Sequence, residues 1–162
     1  NSIGINEILK TSGDLARAFQ DFFKSNMKIL SPSSQELDVS DKIQVREYLQ
    51  DKAINVLVNN AGTIHPKSIL ESDEDSWERD IRVNLIGAYF VTKKVLENRS
   101  NALIINIAST AAFNAYSNWS SYCASKAGLV TLTKCLANDN YNAYVLCPGA
   151  VNTKFRAGLG LC

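Results

Sequence analysis

The fold is decided by residues 105–126, which read INIASTAAFNAYSNWSSYCASK. The stretch begins inside an apolar, β-branched run, residues 104–107, of the kind that forms a buried parallel strand. Ala108 and Ser109 follow where such a strand ends. Ser109 is therefore expected at the carboxyl edge of a sheet.

The second half of the stretch predicts a helix. Residues 121–137 carry apolar side chains at helical spacing, and Ser120 or Ser121 is the expected N-cap. Tyr122 and Lys126 then lie one turn apart on the same helical face. An ammonium group beside a phenol favours the phenolate, so Lys126 is expected to lower the Tyr122 pKa from its ordinary value of about 10.

Ser109 and Tyr122 together provide half of what the reduction of a carbonyl group requires. A hydroxyl at the strand edge can hold a carbonyl oxygen while the phenol supplies or removes its proton. A Tyr-x-x-x-Lys pair alone is common in helices and usually marks a solvated surface pair. The serine at the preceding strand end, together with the motifs below, makes the combination far more specific than any part.

Size and charge limit the classes of function. The chain has 162 residues, of which 46% are hydrophobic and 20% charged, and this suits one globular domain. Its net charge of +1 gives no reason to expect nucleic acid or an anionic membrane as a partner. No apolar run reaches transmembrane length and no basic-then-apolar leader is seen, so a cytoplasmic protein is expected.

The cysteines and the single histidine exclude further chemistry. The four cysteines form no Cys-x-x-Cys pair and have no histidine-rich neighbours, so no metal site is expected and free thiols are favoured. Because His65 is the only histidine, acid–base chemistry must use other groups.

The N-terminal part predicts two strands around a helix. Residues 3–10 form the first expected strand, and Thr11-Ser12-Gly13 is the turn into a helix whose apolar stripe is Leu15, Phe19, Phe22 and Phe23. A glycine at such a turn lets backbone approach phosphate, and the helix N-terminus attracts the negative charge. Residues 28–30 form a second strand, and the hydroxyl groups of the following Ser-Pro-Ser-Ser turn either bind phosphate or solvate the bend.

Two further strands end in small or turn-forming residues. Strands are expected over residues 54–58 and 143–146, with a helix over 41–50, capped by Ser40, before the first of them. The first strand runs into Asn59-Asn60-Ala61-Gly62 and the second into Cys147-Pro148-Gly149. Small residues at the carboxyl ends of parallel strands leave room for a ligand.

A long helix is expected over residues 77–96, after a polar loop with an acidic patch, and it contains Asn84 next to its apolar face. The alternation of strands and helices predicts an α/β fold, a Rossmann-like, doubly wound parallel sheet between two layers of helices. Thr11, Asn60, Ser109 and Pro148 then share one edge of the sheet.

These motifs resemble the short-chain dehydrogenase/reductase family. They are Asn59-Asn60-Ala61-Gly62, Asn84 in Val-Asn-Leu, Ser109, Tyr122-x-x-x-Lys126 and Pro148-Gly149-x-Val151-x-Thr153. Their order and spacing match over most of the chain, and 3-oxoacyl-acyl-carrier-protein reductases and related carbonyl reductases are the nearest in look. The resemblance implies an NAD(P)-dependent oxidoreductase that transfers a hydride between nicotinamide and a carbonyl or secondary alcohol.

The resemblance also implies the roles of individual residues. Tyr122 is the acid–base group, and Lys126 lowers its pKa and holds the nicotinamide ribose. Ser109 positions the carbonyl, and Asn84 supports a proton-relay water. The implied cofactor-binding residues are Thr11, Ser12, Gly13, Leu15, Asp38, Val39, Asn60, Ala61, Gly62, Tyr122, Lys126, Pro148, Gly149, Val151 and Thr153. A small-molecule substrate and a homodimer or homotetramer are implied as partners.

The chain departs from the family pattern in three places. The glycine-rich loop at residues 11–16 and the segment 136–144 are short, and the chain stops soon after Thr153. We therefore expect one NAD(P)-binding domain over residues 1–162 that lacks some loop residues and a C-terminal substrate-covering segment. No acidic residue stands just after the second strand, which favours NADP over NAD.

Two other interpretations remain open. Residues 36–41, behind the second strand, resemble nucleotide-sugar reductases and epimerases, although Asn-Asn-Ala-Gly argues against that branch. A dinucleotide-binding protein without turnover is the alternative from another class.

Overall fold

The protein contains a parallel β-sheet, and the computed structural model describes residues 7–10 and 28–149. The strands are β1 Glu7–Lys10, β2 Lys28–Leu30, β3 Val56–Asn59, β4 Leu103–Ile107 and β5 Ala143–Leu146. They lie in the order β2-β1-β3-β4-β5, and each neighbouring pair is parallel. The α/β fold with a parallel sheet is thus confirmed, and the carboxyl ends of all five strands lie at one edge.

The helices of the described part pack on one face of this sheet. They are α1 Lys42–Tyr48, α2 Glu74–Ile81, α3 Ala88–Asn98 and α4 Ser120–Asn138. Val45 of α1 and Val91 and Val95 of α3 form one core with the strand residues Leu57, Ile104 and Ala143. Leu129 and Val130 of α4 belong to a neighbouring cluster. The opposite sheet face carries a second cluster built on Val56, Val58 and Ile107. The helix predicted from Leu15, Phe19, Phe22 and Phe23 lies outside the described residues.

Two predicted helix starts were wrong. Asp41, not Ser40, is the N-cap of α1, because its carboxylate accepts from the backbone N–H groups of Ile43 and Gln44. The α4 helix begins at Ser120 after Trp119, which makes no side-chain cap. Neither Ser120 nor Ser121 therefore caps the helix, and both hydroxyl groups bond to α2 instead.

The predicted helix over residues 77–96 is longer than expected and interrupted. It begins at Glu74, capped by the Asp73 carboxylate, and ends at Asn98. Between α2 and α3, residues Arg82–Gly87 form a π-helical segment that contains Asn84. A π-helical insertion turns a helix locally and is frequent at functional sites.

A buried polar network joins the sheet to α3 and α4. The amide of Asn59 donates to the Asn106 side-chain oxygen at 2.8 Å and to Thr92 at 2.9 Å. The amide of Asn106 donates in turn to Thr133 on α4 at 2.9 Å. Since buried polar groups are costly unless bonded, this network selects one register between strands and helices.

Membrane insertion has no support in the described part of the chain. Among residues 28–149, no helix combines the length and the apolar character that crossing a bilayer requires.

Candidate active site

The carboxyl edge of the sheet brings together segments that are far apart in sequence. Beyond β4, the backbone N–H of Ala108 donates to Leu146 at 2.8 Å, and that of Thr110 donates to Pro148 at 3.1 Å. These bonds place Ser109 beside the turn at Pro148 and Gly149. Ser109 follows the strand end, as predicted, and its hydroxyl accepts from the Ala111 backbone N–H at 3.1 Å.

Tyr122 and Lys126 are both buried on the first turns of α4. Tyr122 is 8% exposed and Lys126 only 3%. The Lys126 ammonium lies 5.6 Å from the centre of the Tyr122 ring and donates to the backbone oxygen of Ile107 at 2.9 Å. The predicted pair therefore lies together at the end of β4, rather than on a solvated surface.

The pKa of Tyr122 differs from the sequence expectation. Burial raises this pKa above its ordinary value of 10.0, and the charges of Cys123 and Asp80 raise it further. A hydrogen bond with the Ser109 side chain opposes the rise. The expected lowering by Lys126 is not found, because desolvation of the phenolate outweighs the stabilising contacts. The phenol is thus protonated at neutral pH.

Lys126 is itself perturbed by its surroundings. Burial lowers its pKa from 10.5 to about 8, and the nearby Cys147 side chain opposes the change. The cause is the removal of the ammonium group from water. Lys126 is therefore still protonated at neutral pH, but its ammonium group is stabilised much less by water than that of a surface lysine.

Asn84 is buried beside these residues. Its amide donates to the Thr63 backbone oxygen at 2.9 Å and to the Ser125 hydroxyl at 3.0 Å, and its oxygen accepts from the Thr63 N–H at 2.8 Å. A Cβ placed on Gly62 would lie 3.4 Å from the Asn84 Oδ1 and 3.7 Å from the Lys126 Nζ. Gly62, Asn84 and Lys126 hence form one cluster.

The predicted Asp38–Val39 segment lies at the same end of the molecule. A small pocket has Val39, Ala61 and Asn84 in its wall. Asp38 accepts from the backbone N–H and the hydroxyl of Ser40, at 2.9 and 2.6 Å. The Asp38 carboxylate is therefore held in a local turn, while Val39 forms part of the pocket.

The turn after β2 contains an acidic group that the sequence pattern did not place there. Glu36 accepts from the Ser33 backbone N–H at 2.7 Å and from the Ser33 hydroxyl at 2.9 Å. The Glu36 carboxylate thus lies against the turn after β2, where the sequence was expected to provide no acidic group. An acidic group at this place is the usual partner of the free 2′-hydroxyl of NAD, so the contact is relevant to the choice between NAD and NADP.

Six of the predicted cofactor-binding residues lie outside the described residues. They are Thr11, Ser12, Gly13, Leu15, Val151 and Thr153. The described members of the set, from Asp38 to Gly149, lie at the carboxyl edge or on the helices behind it.

Sequence reasoning missed Asp80, a buried side chain near the site that has several hydrogen-bond partners. Asp80 is fully buried, and its carboxylate binds side chains from the loop after β3 and from α4. It stands among charged residues of an amphipathic helix, which predicts a solvated position. Its spacing of four residues before Asn84 was the one available signal, since that spacing places both on one helical face.

Comparison with known proteins identifies the family. The short chain dehydrogenase family matches residues 17–160. The chain belongs to the short-chain dehydrogenase family. An uncharacterized oxidoreductase of Thermotoga maritima is 43% identical over 108 residues, which cover 62% of this chain and 42% of the relative. The 3-oxoacyl-acyl-carrier-protein reductase of the same organism is 32% identical over 129 residues, covering 72% and 52%.

Solved structures of short-chain dehydrogenases agree with the fold. The ligand-free aldohexose dehydrogenase of Thermoplasma acidophilum gives a TM-score of 0.87 at 27% identity, covering 95% of this chain and 70% of that one. A gluconate 5-dehydrogenase of Burkholderia cenocepacia, in complex with NADP and tartrate, gives 0.76 at 25% identity, covering 96% and 75%. The chain spans about half the length of the curated relatives it matches.

Proposed function

We propose that this protein is an NAD(P)-dependent oxidoreductase that interconverts a carbonyl and a secondary alcohol. The observation that carries the proposal is the buried Lys126 ammonium, 5.6 Å from the centre of the Tyr122 ring, with Ser109 interacting with the same phenol from the end of β4. Hydroxyl, phenol and ammonium meet at the carboxyl edge of a parallel sheet, where α/β proteins bind their ligands.

The described residues fit a nicotinamide cofactor. The backbone at Gly62 lies beside both Lys126 and Asn84, and a Cβ on Gly149 would have Thr110, at 4.0 Å, as its one close neighbour among residues 28–149. In the described part of the chain, this edge therefore has space at Gly149 and a cation close to Gly62. We assign Lys126 and Tyr122 to the nicotinamide ribose, and the segments 38–39, 60–62 and 148–149 to the cofactor cleft. When bound, the nicotinamide ring supplies or accepts the hydride.

The chain's own residues manage the proton and the carbonyl oxygen. Ser109 donates a hydrogen bond to the carbonyl oxygen of the substrate and holds it near Tyr122. Tyr122 gives its phenolic proton to that oxygen during reduction, and its raised pKa keeps this proton available at neutral pH. The Lys126 ammonium then stabilises the phenolate. Asn84 supports a proton-relay water that returns the proton.

The substrate is a small molecule with a ketone or secondary alcohol. The relatives include an acyl-carrier-protein-linked reductase and a meso-2,3-butanediol dehydrogenase of Serratia marcescens. The names of both relatives describe reactions of a ketone or a secondary alcohol, and this supports the proposed reaction type. We also propose that the protein forms a homodimer or homotetramer and that it is located in the cytoplasm. Light scattering of the purified protein measures the number of subunits.

The cofactor preference is tested at Glu36. Without an acid after β2 the sequence favours NADP, whereas the Glu36 carboxylate on Ser33 could instead accept from the free 2′-hydroxyl of NAD. Fluorescence titration with NADPH and NADH measures both affinities. Tighter NADPH binding supports the expectation. Tighter NADH binding that Glu36→Gln reverses assigns the discrimination to Glu36.

The reaction is tested with the full-length protein and a panel of ketones in the presence of the tighter cofactor. Tyr122→Phe should retain cofactor binding and lose turnover by at least about 100-fold, the lower end of the range for one general acid. Tyr116→Phe, which removes an equivalent hydroxyl from a more exposed ring, is the matched control and should stay active. Cofactor binding without turnover in the wild type would instead identify a dinucleotide-binding protein.

A further inference from the structure

Asp80, on α2, has a fully buried carboxylate that accepts four hydrogen bonds. Its Oδ1 accepts from the Thr63 hydroxyl at 2.8 Å and lies 2.9 Å from the His65 Nδ1. Its Oδ2 accepts from the His65 backbone N–H at 3.0 Å and from the Ser121 hydroxyl at 2.6 Å. A buried carboxylate is tolerated only when its oxygens are bonded in this way.

These partners belong to the two segments that hold the proposed catalytic groups. Thr63 binds the Asn84 side chain through both its backbone N–H and its backbone oxygen. Ser121 immediately precedes Tyr122 on the first turn of α4, where a second contact joins α2 to α4, from the Trp77 indole to the Ser120 hydroxyl at 3.0 Å. The carboxylate therefore joins the loop after β3, α2 and the start of α4.

We propose that Asp80 is a positioning residue that fixes the first turn of α4, and with it Tyr122, against the loop that holds Asn84. The role rests on the proposed function, because it matters for turnover only if Tyr122 and Asn84 take part in it. The hydrogen bonds of Asp80 are made to the neighbours of these two groups. It acts through Ser121 on one side and through Thr63 and His65 on the other.

The charge of Asp80 provides a readout that a purely structural role would not give. Tyr122 is faced by Ser109 from the end of β4, by Cys123 and Lys126 on α4, and by Asp80 on α2. Among these, the Asp80 charge acts to raise the Tyr122 pKa. Replacing the carboxylate by an amide removes that charge while keeping nearly the same shape, so the pKa of Tyr122 should fall.

The experiment compares Asp80→Asn with Glu78→Gln in the full-length protein. Glu78 is the matched control, since it removes an exposed carboxylate of the same helix whose observed ion pair is with Arg82. In Asp80→Asn the amide NH₂ must face either His65 N–H and Ser121, or Thr63 and the His65 ring. At least one donor then loses its acceptor, so the contact to α4 or the contact to the loop after β3 is lost.

Three measurements are made on each variant. Phenolate absorbance, taken as a difference against the same variant carrying Tyr122→Phe, reports the Tyr122 titration without cofactor. Fluorescence titration with NADPH reports binding, and steady-state kinetics on a ketone substrate separates kcat from KM. We expect Asp80→Asn to lower the Tyr122 midpoint and to reduce kcat by about 10- to 100-fold, the effect of a small misplacement of a reacting group. NADPH binding should change by less than about 3-fold, and Glu78→Gln should match the wild type.

An unchanged Tyr122 midpoint together with wild-type kcat in Asp80→Asn would overturn the proposal. If Asp80→Asn does not fold, Ser121→Ala and Thr63→Val remove one contact each. Each should then lower kcat alone, and wild-type kcat in both would also overturn it. A wild-type protein that binds NADPH but reduces no ketone refutes the proposed function instead, and the Tyr122 titration then still decides whether Asp80 acts on this phenol.

Discussion

Replacing the buried Lys126 by methionine should stabilise the protein at pH 7 and cease to do so at pH 10. Lys126 binds its proton with a pKa of 10.5 when unfolded but only about 8 when folded. Below pH 8 the folded state therefore bears the full penalty of a desolvated charge, and this penalty disappears as the pH rises through 10.5. The difference between the two pKa values corresponds to about 3 kcal/mol at pH 7 and about 1 kcal/mol at pH 10.

The substitution also removes a hydrogen bond, which sets the net effect. Loss of the bond from Lys126 to the Ile107 oxygen costs about 1 to 2 kcal/mol at either pH. Lys126→Met should thus raise the free energy of unfolding by about 1 to 2 kcal/mol at pH 7 and leave it unchanged or lower at pH 10. Other groups that titrate in this interval are common to both proteins and cancel in the comparison.

Urea denaturation followed by circular dichroism at both pH values measures the effect. Lys134→Met removes an exposed lysine of the same helix and is the control for the loss of a lysine side chain that water solvates. The variant should also lose catalytic activity while being more stable, a trade typical of strained functional groups. Equal stability changes for Lys126→Met at pH 7 and pH 10 would refute the assignment of a buried, perturbed ammonium.

Two further substitutions test how the site is supported. Gly87→Ala should lower the free energy of unfolding by about 1 to 3 kcal/mol, because its Cβ would lie 2.8 Å from the Val39 Cγ2 and 3.0 Å from the Val39 backbone oxygen. Gly149→Ala is its control in the same urea assay, since the nearest described atom to that Cβ belongs to Thr110, at 4.0 Å. Thr133→Val should cost about 1 to 3 kcal/mol by leaving the buried Asn106 amide without its acceptor. If the double variant Asn106→Leu with Thr133→Val shows the sum of the single effects, the two residues are not coupled and the network has no energetic role.

The strands and the motifs at their ends were predictable because both depend on local sequence. A short apolar run such as residues 103–107 is typical of a parallel strand that is buried on both faces. All strands of a parallel sheet place their carboxyl ends at one edge. Ser109 and Pro148 were therefore correctly expected at the same edge of the sheet. The alternation of strands and helices likewise determined the α/β class.

The helix caps show where local reasoning ends. Ser40 and Asp41 are both good N-caps, and Asp41 is used because the Ser40 hydroxyl bonds to Asp38 instead. Ser121 has the chemistry of a cap, yet it lies inside α4 because Asp80 accepts its hydroxyl from another helix. A contact between residues 41 positions apart leaves no periodic trace in the sequence.

The sequence by itself determined which segments form strands, and it identified Ser109, Tyr122 and Lys126 as a set. Residue type and spacing are enough for both. Only the tertiary structure decided their electrostatic state. The sequence predicts that a lysine one turn away lowers a phenol pKa, but burial raises the Tyr122 pKa and lowers that of Lys126. The physical reason is that desolvation depends on every element packed around a group, whereas sequence spacing reports only its nearest neighbours on one helix.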